Sequence, residues 1–121
     1  MLGGKVKGVV TMTVMNLDNL GDVIATRDLF VSDDPSRKVV VMMGKPQLWE
    51  GGPDCLCPIL IIGIGDEKIR SAAGVDAFQS IELAFKMIAI QLRTIRRAYG
   101  VTFCRWKGDD DPNVGFPNPS V

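Results

Sequence analysis

Residues 74–100 read GVDAFQSIELAFKMIAIQLRTIRRAYG, and this stretch decides the fold because it predicts one long amphipathic helix. Asp76 offers an N-cap carboxylate, and Gln79 stands three residues later, as in a capping box. Gly100 stands where helices commonly end in a left-handed residue. The sequence therefore predicts a helix from Asp76 to about Ala98, with basic side chains at the negative end of its dipole.

The predicted helix carries one continuous apolar face, whose residues recur three or four positions apart. This face consists of Phe78, Ile81, Phe85, Ile88, Leu92, Ile95 and Tyr99. We expect the sheet to cover it. A second apolar strip lies about 140° away around the axis, at roughly 100° per residue, and consists of Leu83, Met87 and Ile90. A helix packed on a single sheet would leave this strip in water.

The second strip therefore needs cover, and the sequence leaves three sources open. The chain itself can supply it, through its N-terminal segment or its C-terminal tail. A second copy can supply it, since two-fold dimers are the commonest soluble oligomers. A foreign protein is the third source. From the last two we predict a partner-binding surface at Leu83, Met87 and Ile90.

The strands are predicted from shorter patterns. Residues 22–31 and 37–45 are rich in apolar residues, and the SDDPS cluster at 32–36 favours a turn, so the two segments form a hairpin. Residues 56–64 (LCPILIIGI) are the most apolar stretch, which is typical of a strand covered on both faces. Residues 101–106 are predicted to form a last short strand.

The predicted order is β-β-β-α-β, and the fold class is α+β. We expect a small, mostly antiparallel sheet with one long helix packed on one face. The first three strands form an antiparallel meander. The last strand is expected to run parallel to the first and third, after a right-handed crossover through the helix. For residues 65–74, which are polar at first, we predict a short helical turn.

A chain of 121 residues fits one domain. The prediction places the α+β domain at 22–107, between an N-terminal extension at 1–21 and an irregular tail at 108–121. Two interpretations of the extension stay open: residues 6–14 form an extra strand, since they are rich in Val and Thr, or translation starts later than the first codon. The candidate starts are Met1, Met12 and Met15.

Composition excludes several classes of function. The chain has no histidine, which excludes Ser-His-Asp catalysis, Cys-His catalysis and histidine-ligated zinc. Fourteen basic residues balance fourteen acidic ones, so the net charge favours neither nucleic acid nor an anionic membrane as a partner. Without a membrane span or a signal peptide in the sequence, we expect a cytoplasmic location. We predict no catalytic residue and no cofactor, and the sequence leans away from an enzyme.

Three cysteines and a basic cluster are the remaining chemical candidates. The cysteines are Cys55, Cys57 and Cys104. Their spacing does not match a structural zinc site, and cysteine is more often a small buried hydrophobe, so we assign no metal to them. A candidate phosphate- or anion-binding site consists of Arg93, Arg96 and Arg97. Arginines are, however, ordinary at helix C-termini.

Motifs at the two ends of the domain carry a resemblance to a known family. GVDAFQSI with Leu83-Ala84 opens the helix, and CRWKG at 104–108, Asp111 and GFP at 115–117 close the chain. Together with the opening strand, these motifs resemble a family of small bacterial proteins catalogued only as a domain of unknown function, over residues 22–117. The resemblance implies a bacterial or phage origin and the same strand–helix–strand layout. It supplies no activity, cofactor or catalytic residue.

The sequence thus favours a non-catalytic interaction protein, either a homodimer or a subunit that binds another protein through the second strip. The rival hypothesis is a small-molecule-binding protein or enzyme. Its pocket would lie between the sheet and the segments that bear Trp49 or Trp106. The identity of a partner, or of a substrate, stays open at this stage.

Overall fold

The structure, a computed structural model, describes residues 20–119 as one sheet of six strands with one helix. The elements are β1 (Val23–Val31), β2 (Asp34–Gly44), β3 (Gln47–Leu48), β4 (Cys55–Ile62), β5 (Arg70–Gly74), α1 (Ala77–Tyr99) and β6 (Phe103–Cys104). The predicted α+β class, with a mostly antiparallel sheet and one long helix, is confirmed. The predictions for residues 1–19, including the extra strand and the alternative starts, lie outside the described residues.

Every strand pair in the sheet is antiparallel. β1 and β2 form the predicted hairpin, and β4 lies beside β2, so the predicted meander is confirmed. β4 pairs with β2 along its second half and with the two residues of β3 near its start. Ile59 of β4 pairs with both Met43 and Arg70, so β5 lies on the opposite edge of β4 from β2. The other edge of the sheet is β6, beside β1.

Two predictions about the sheet were wrong, and one missed strand explains both. Residues Arg70–Gly74 form β5, where we predicted only a short helical turn. Alanine and glycine have little strand propensity, so pairing with β4 rather than local preference places this segment in the sheet. Because β5 reverses the chain direction before the helix, the last strand runs antiparallel to β1, with Phe30 opposite Cys104, and not parallel to it.

The helix begins and ends close to the predicted residues. The Asp76 carboxylate accepts a hydrogen bond from the Gln79 amide nitrogen at 2.8 Å, and the Gln79 side chain accepts one from the Val75 nitrogen at 2.8 Å. Gly100 adopts a left-handed conformation, with φ of 65°, and its N–H bonds the carbonyl of Arg96. No helix among residues 20–119 is long and apolar enough to cross a membrane.

The orientation of the helix matches the prediction only in part. Ile88, Leu92 and Ile95 of the predicted sheet-facing side are buried, but Leu83 and Met87 are buried beside them, at 1% and 0% exposed. Phe78, at the start of the predicted side, is 86% exposed. Both strips are apolar, so helical periodicity alone did not separate them. Small residues allow the helix to approach β5 closely: α1 presents Ser80 to β5, where Gly74 has no Cβ to strike the Ser80 backbone.

Residues 108–119 contain no helix or strand, and part of this segment packs on the domain. Val114 and Phe116 belong to the hydrophobic core that the helix and sheet enclose. Arg27 of β1 donates from Nη1 to the carbonyl oxygen of Val114 at 3.1 Å, and its guanidinium lies 4.5 Å from the centre of the Phe116 ring. The domain therefore extends past the predicted boundary at residue 107.

Candidate functional site

The predicted partner-binding strip is part of the core. Leu83 and Met87 are buried against the sheet, and Ile90 is half-buried. The sheet supplies the cover, because the helix turns this side toward the strands. The sheet lies within the chain but is neither of the two segments considered from the sequence. The prediction that Leu83 and Met87 bind a partner is therefore wrong, since neither side chain reaches the surface.

Among residues 20–119, no helix covers the opposite face of the sheet. Residues directly opposite each other in neighbouring strands point to the same side, and α1 covers the side of Leu29, Val39 and Ile61. On the other side, Val40 pairs with Ile62 and Met42 pairs with Leu60. These four side chains, each half-buried, form what we call the outer patch: Val40, Met42, Leu60 and Ile62.

An ion pair lies beside the outer patch. The Lys38 ammonium is 3.2 Å from the Asp28 carboxylate, and both side chains are about half exposed. Asp28 lies directly opposite Val40, so the pair shares the face of the patch. At one end of this face Leu20 and Leu56 are buried but lie outside the main core cluster. The outer face therefore combines an apolar centre with one acid and one base at its rim.

A cavity of about 590 Å³ lies at the β6 edge of the same face. Its walls include Phe30, Pro35, Cys104, Trp106, Lys107 and Asp109. Phe30 and Cys104 lie opposite each other in β1 and β6, and the Cys104 thiol donates to the Phe30 carbonyl oxygen at 3.7 Å. We call this cavity the β6 groove. It lies between the sheet and the segment that bears Trp106.

Arg105 contacts two residues of the groove wall, Asp109 and Trp106. Arg105 donates to the two carboxylate oxygens of Asp109, from Nε at 2.8 Å and from Nη2 at 3.0 Å. The Asp109 carboxylate also accepts from the Arg105 amide nitrogen at 2.9 Å. These hydrogen bonds hold the pKa of Asp109 well below its ordinary value. The same guanidinium lies 4.2 Å from the centre of the Trp106 ring, which restricts that ring.

Among the residues that line the groove, Lys107 carries a charge that is not in an ion pair. The Asp109 carboxylate is neutralised by Arg105 and has a side chain only 1% exposed. Lys107 is exposed, and among residues 20–119 no carboxylate lies within 4.0 Å of its ammonium. The groove thus presents one cation beside two aromatic side chains.

A second cavity, of about 180 Å³, lies between the end of α1 and the turn before β5. Its rim is an ion pair: Arg70 donates to both carboxylate oxygens of Asp66, at 3.0 and 2.7 Å. The Arg70 guanidinium lowers the pKa of Asp66 to about 2. Asp66 and Arg70 neutralise each other, so neither side chain offers a free charge to a ligand in this cavity.

The three cysteines are not brought together. Cys57 points into the core from β4, and burial raises the pKa of its thiol to about 12. Cys55 is half-buried on the same strand, whereas Cys104 lies on the opposite face at the β6 edge. Among residues 20–119, no group of three or more histidine, cysteine or acidic side chains is arranged to hold a metal ion.

The arginine cluster keeps its place at the end of α1. Arg96 is half-buried, and burial, followed by the charges of Arg93 and Arg97, lowers its pKa. None of the three lines the two cavities described above. The suggestion that they bind a phosphate or another anion stays a prediction.

The sequence analysis did not predict the outer patch. It predicted the groove only as a pocket between the sheet and the segments that bear Trp49 or Trp106. The apolar run of β4 predicted cover on both faces, and β2 has the same character in Val39–Met43. That was the available signal for an apolar outer face. Trp106 does line a cavity. Trp49 instead packs against its own loop, where a side chain at Gly51 would strike its ring.

A model of one protein family matches residues 25–118, and its description is "Domain of unknown function (DUF6968)". The match covers most of the chain, including most of β1, the capped helix and most of the C-terminal segment. No curated protein matches the chain, and no solved structure does.

Proposed function

The chain belongs to the DUF6968 family, and from this premise we propose that it is a non-catalytic interaction protein that forms a homodimer through the outer face of its sheet. One observation carries the proposal: β2 and β4 are apolar on both sides, but the helix covers only one. Strands with this pattern are ordinarily covered on both faces. A second sheet is the simplest cover, since two sheets pack face to face about 10 Å apart.

The size of the face fits a weak dimer. β1, β2 and β4 have eight or more residues each. Three strands at about 4.8 Å spacing and about eight residues at about 3.3 Å give an area on the order of 400 Å² per copy. Two copies would bury on the order of 800 Å², which is the size of a weak, transient contact. We therefore expect association in the micromolar range rather than an obligate dimer.

The charges of the face are compatible with self-association. A two-fold axis brings the same surface of two copies together, so each group must find its complement within that surface. Asp28 and Lys38 supply one acid and one base side by side. After rotation, Lys38 of one copy can meet Asp28 of the other, and no like charges are forced together. The zero net charge of the chain also leaves no general repulsion between copies.

The test is the solution mass of the full chain, measured by size-exclusion chromatography with light scattering from about 1 µM to about 1 mM. We expect the mass to rise from 13.2 kDa toward twice that value. Met42→Glu, which places a charge in the centre of the outer patch, should shift the midpoint at least about tenfold to higher concentration.

The matched control is Phe78→Glu, which replaces an apolar residue that is 86% exposed on the helix side. This variant should dimerise as the parent does, and circular dichroism should show both variants folded. A constant mass of one chain across the whole range would contradict the proposal. So would an equal loss of dimer in both variants. The outer face would then be left to residues 1–19 or to a foreign protein.

A further inference from the structure

We propose that the β6 groove, which lies at the edge of the face that carries the outer patch, binds small aromatic carboxylates. The ligand would place a flat apolar ring against Trp106 and Phe30 and its carboxylate beside the Lys107 ammonium. The proposal is carried by three features of the groove, which are its size, its fixed aromatic wall and its unmatched charge.

The size of the groove suits a molecule of one or two rings. Its volume of about 590 Å³ lies within the range of about 300–1,000 Å³ that is typical of ligand sites. The apolar part of the wall comes from Phe30, Pro35, Cys104 and Trp106, and the rest from Ser32, Lys107, Gly108 and Asp109. Transfer of an aromatic ring from water to the apolar part is favourable.

The aromatic wall is fixed before a ligand arrives. Arg105 lies over the Trp106 ring and is itself held by its hydrogen bonds to Asp109. Phe30 belongs to a strand paired on both sides, with β2 and β6. A wall that is already ordered loses little conformational entropy on binding, which favours affinity for a small ligand.

The charge selects an anion. Asp109 is the acidic side chain of the groove wall, and Arg105 neutralises it. Lys107 is then the charge available to a ligand, as described above. A neutral ring would leave that ammonium without a partner, whereas a carboxylate would form a charge-assisted hydrogen bond with it.

The first experiment uses 2-naphthoate as the probe and follows the indole N–H signals of the ¹⁵N-labelled full chain by NMR. The chain has two tryptophans, so two indole signals are expected, and Trp49→Phe assigns them. We expect the Trp106 signal to shift on titration to millimolar 2-naphthoate, and the Trp49 signal to stay in place. Neutral 2-naphthalenemethanol should bind more weakly than 2-naphthoate. Lys107→Gln should lower the affinity for 2-naphthoate about fivefold, as expected for the loss of a partly exposed ion pair.

A second measurement uses the thiol in the groove as a reporter. In a Cys55→Ser protein, Cys104 is the thiol open to N-ethylmaleimide, because Cys57 is buried in the core. Saturating 2-naphthoate should slow the alkylation of Cys104 several-fold. The same ligand should not change the rate in Lys107→Gln to the same extent.

Two results would overturn the proposal. One is the absence of both the Trp106 shift and the protection of Cys104 at millimolar 2-naphthoate. The other is equal binding of 2-naphthoate and 2-naphthalenemethanol, since the groove would then select no charge. Met42→Glu lies in β2, separated from β6 by β1, and should bind 2-naphthoate normally. Loss of the dimer and loss of ligand binding can thus be told apart.

Discussion

Single residues show where the packing of this protein is incomplete. Ser71 of β5 is 1% exposed, and its hydroxyl has no hydrogen-bond partner among residues 20–119. Ser80 is equally buried, but its hydroxyl donates to the Ala77 carbonyl oxygen at 2.9 Å. A buried polar group without a partner loses its hydrogen bonds to water and gains none in exchange. Ser71 is therefore a cost to the folded state, whereas Ser80 is not.

We expect Ser71→Ala to raise the free energy of unfolding by about 1 kcal/mol, because the substitution removes the unpaired hydroxyl and little else. Urea unfolding followed by circular dichroism measures the change. Ser80→Ala is the matched control and should not stabilise, since it removes a satisfied hydroxyl. A destabilised Ser71→Ala protein would contradict this account and would indicate that the hydroxyl has a partner in solution.

The helix is the element that local sequence specifies best. Its N-terminus depends on Asp76 and Gln79, and its C-terminus on Gly100, all within a few residues of the groups they bond. Such contacts join groups that are close in sequence, so they were predictable from spacing alone. The side of α1 that faces the sheet was not predictable from spacing, because apolar residues occupy both sides of the helix. Contacts with segments far apart in sequence fix its rotation.

We expect Asp76→Ala to lower the free energy of unfolding by about 1 kcal/mol, since it removes the acceptor for the Gln79 amide. Chemical unfolding of the purified variant measures the loss. Glu82→Ala, at an exposed position inside the same helix, is the control and should change stability by less than about 0.5 kcal/mol. Equal effects of the two substitutions would show that the cap does not stabilise the helix.

At the scale of the whole molecule, ion pairs hold segments that lie outside the helix and the long strands. Asp66, in the turn before β5, pairs with Arg70, the first residue of β5. Asp109 pairs with Arg105 after β6. Both carboxylates have pKa values below those of the unfolded chain. Their contribution is therefore present above the unfolded pKa, near 3.8, and is lost as the pH falls through the folded value.

We expect the melting temperature of the parent protein to fall between about pH 4 and about pH 2, and Asp66→Asn to reduce this dependence. At neutral pH the variant should lose only a little stability, because the pair is partly exposed and solvent screens it. Differential scanning calorimetry across this pH range tests both statements. If the melting temperature of Asp66→Asn falls with pH as steeply as that of the parent, the Asp66–Arg70 pair does not couple stability to pH.

The sequence by itself determined the elements that rest on local interactions. These are the α+β class, the pairing of β1 with β2 in a hairpin, and both ends of α1. The turn of the hairpin is shorter than the predicted 32–36, because β2 begins at Asp34. The sequence also indicated a cavity beside Trp106. Each depends on residues a few positions apart, or on an apolar run that any partner would bury.

Only the tertiary structure decided the features that depend on distant contacts. β5 is a strand because β4 pairs with it, and that added reversal makes β6 antiparallel to β1. Packing of α1 on the sheet buries Leu83 and Met87, which moves the candidate interface from the helix to the outer patch. The physical reason is common to all three: the free energy that selects each arrangement comes from burial and pairing between segments far apart in sequence, which local propensity does not record.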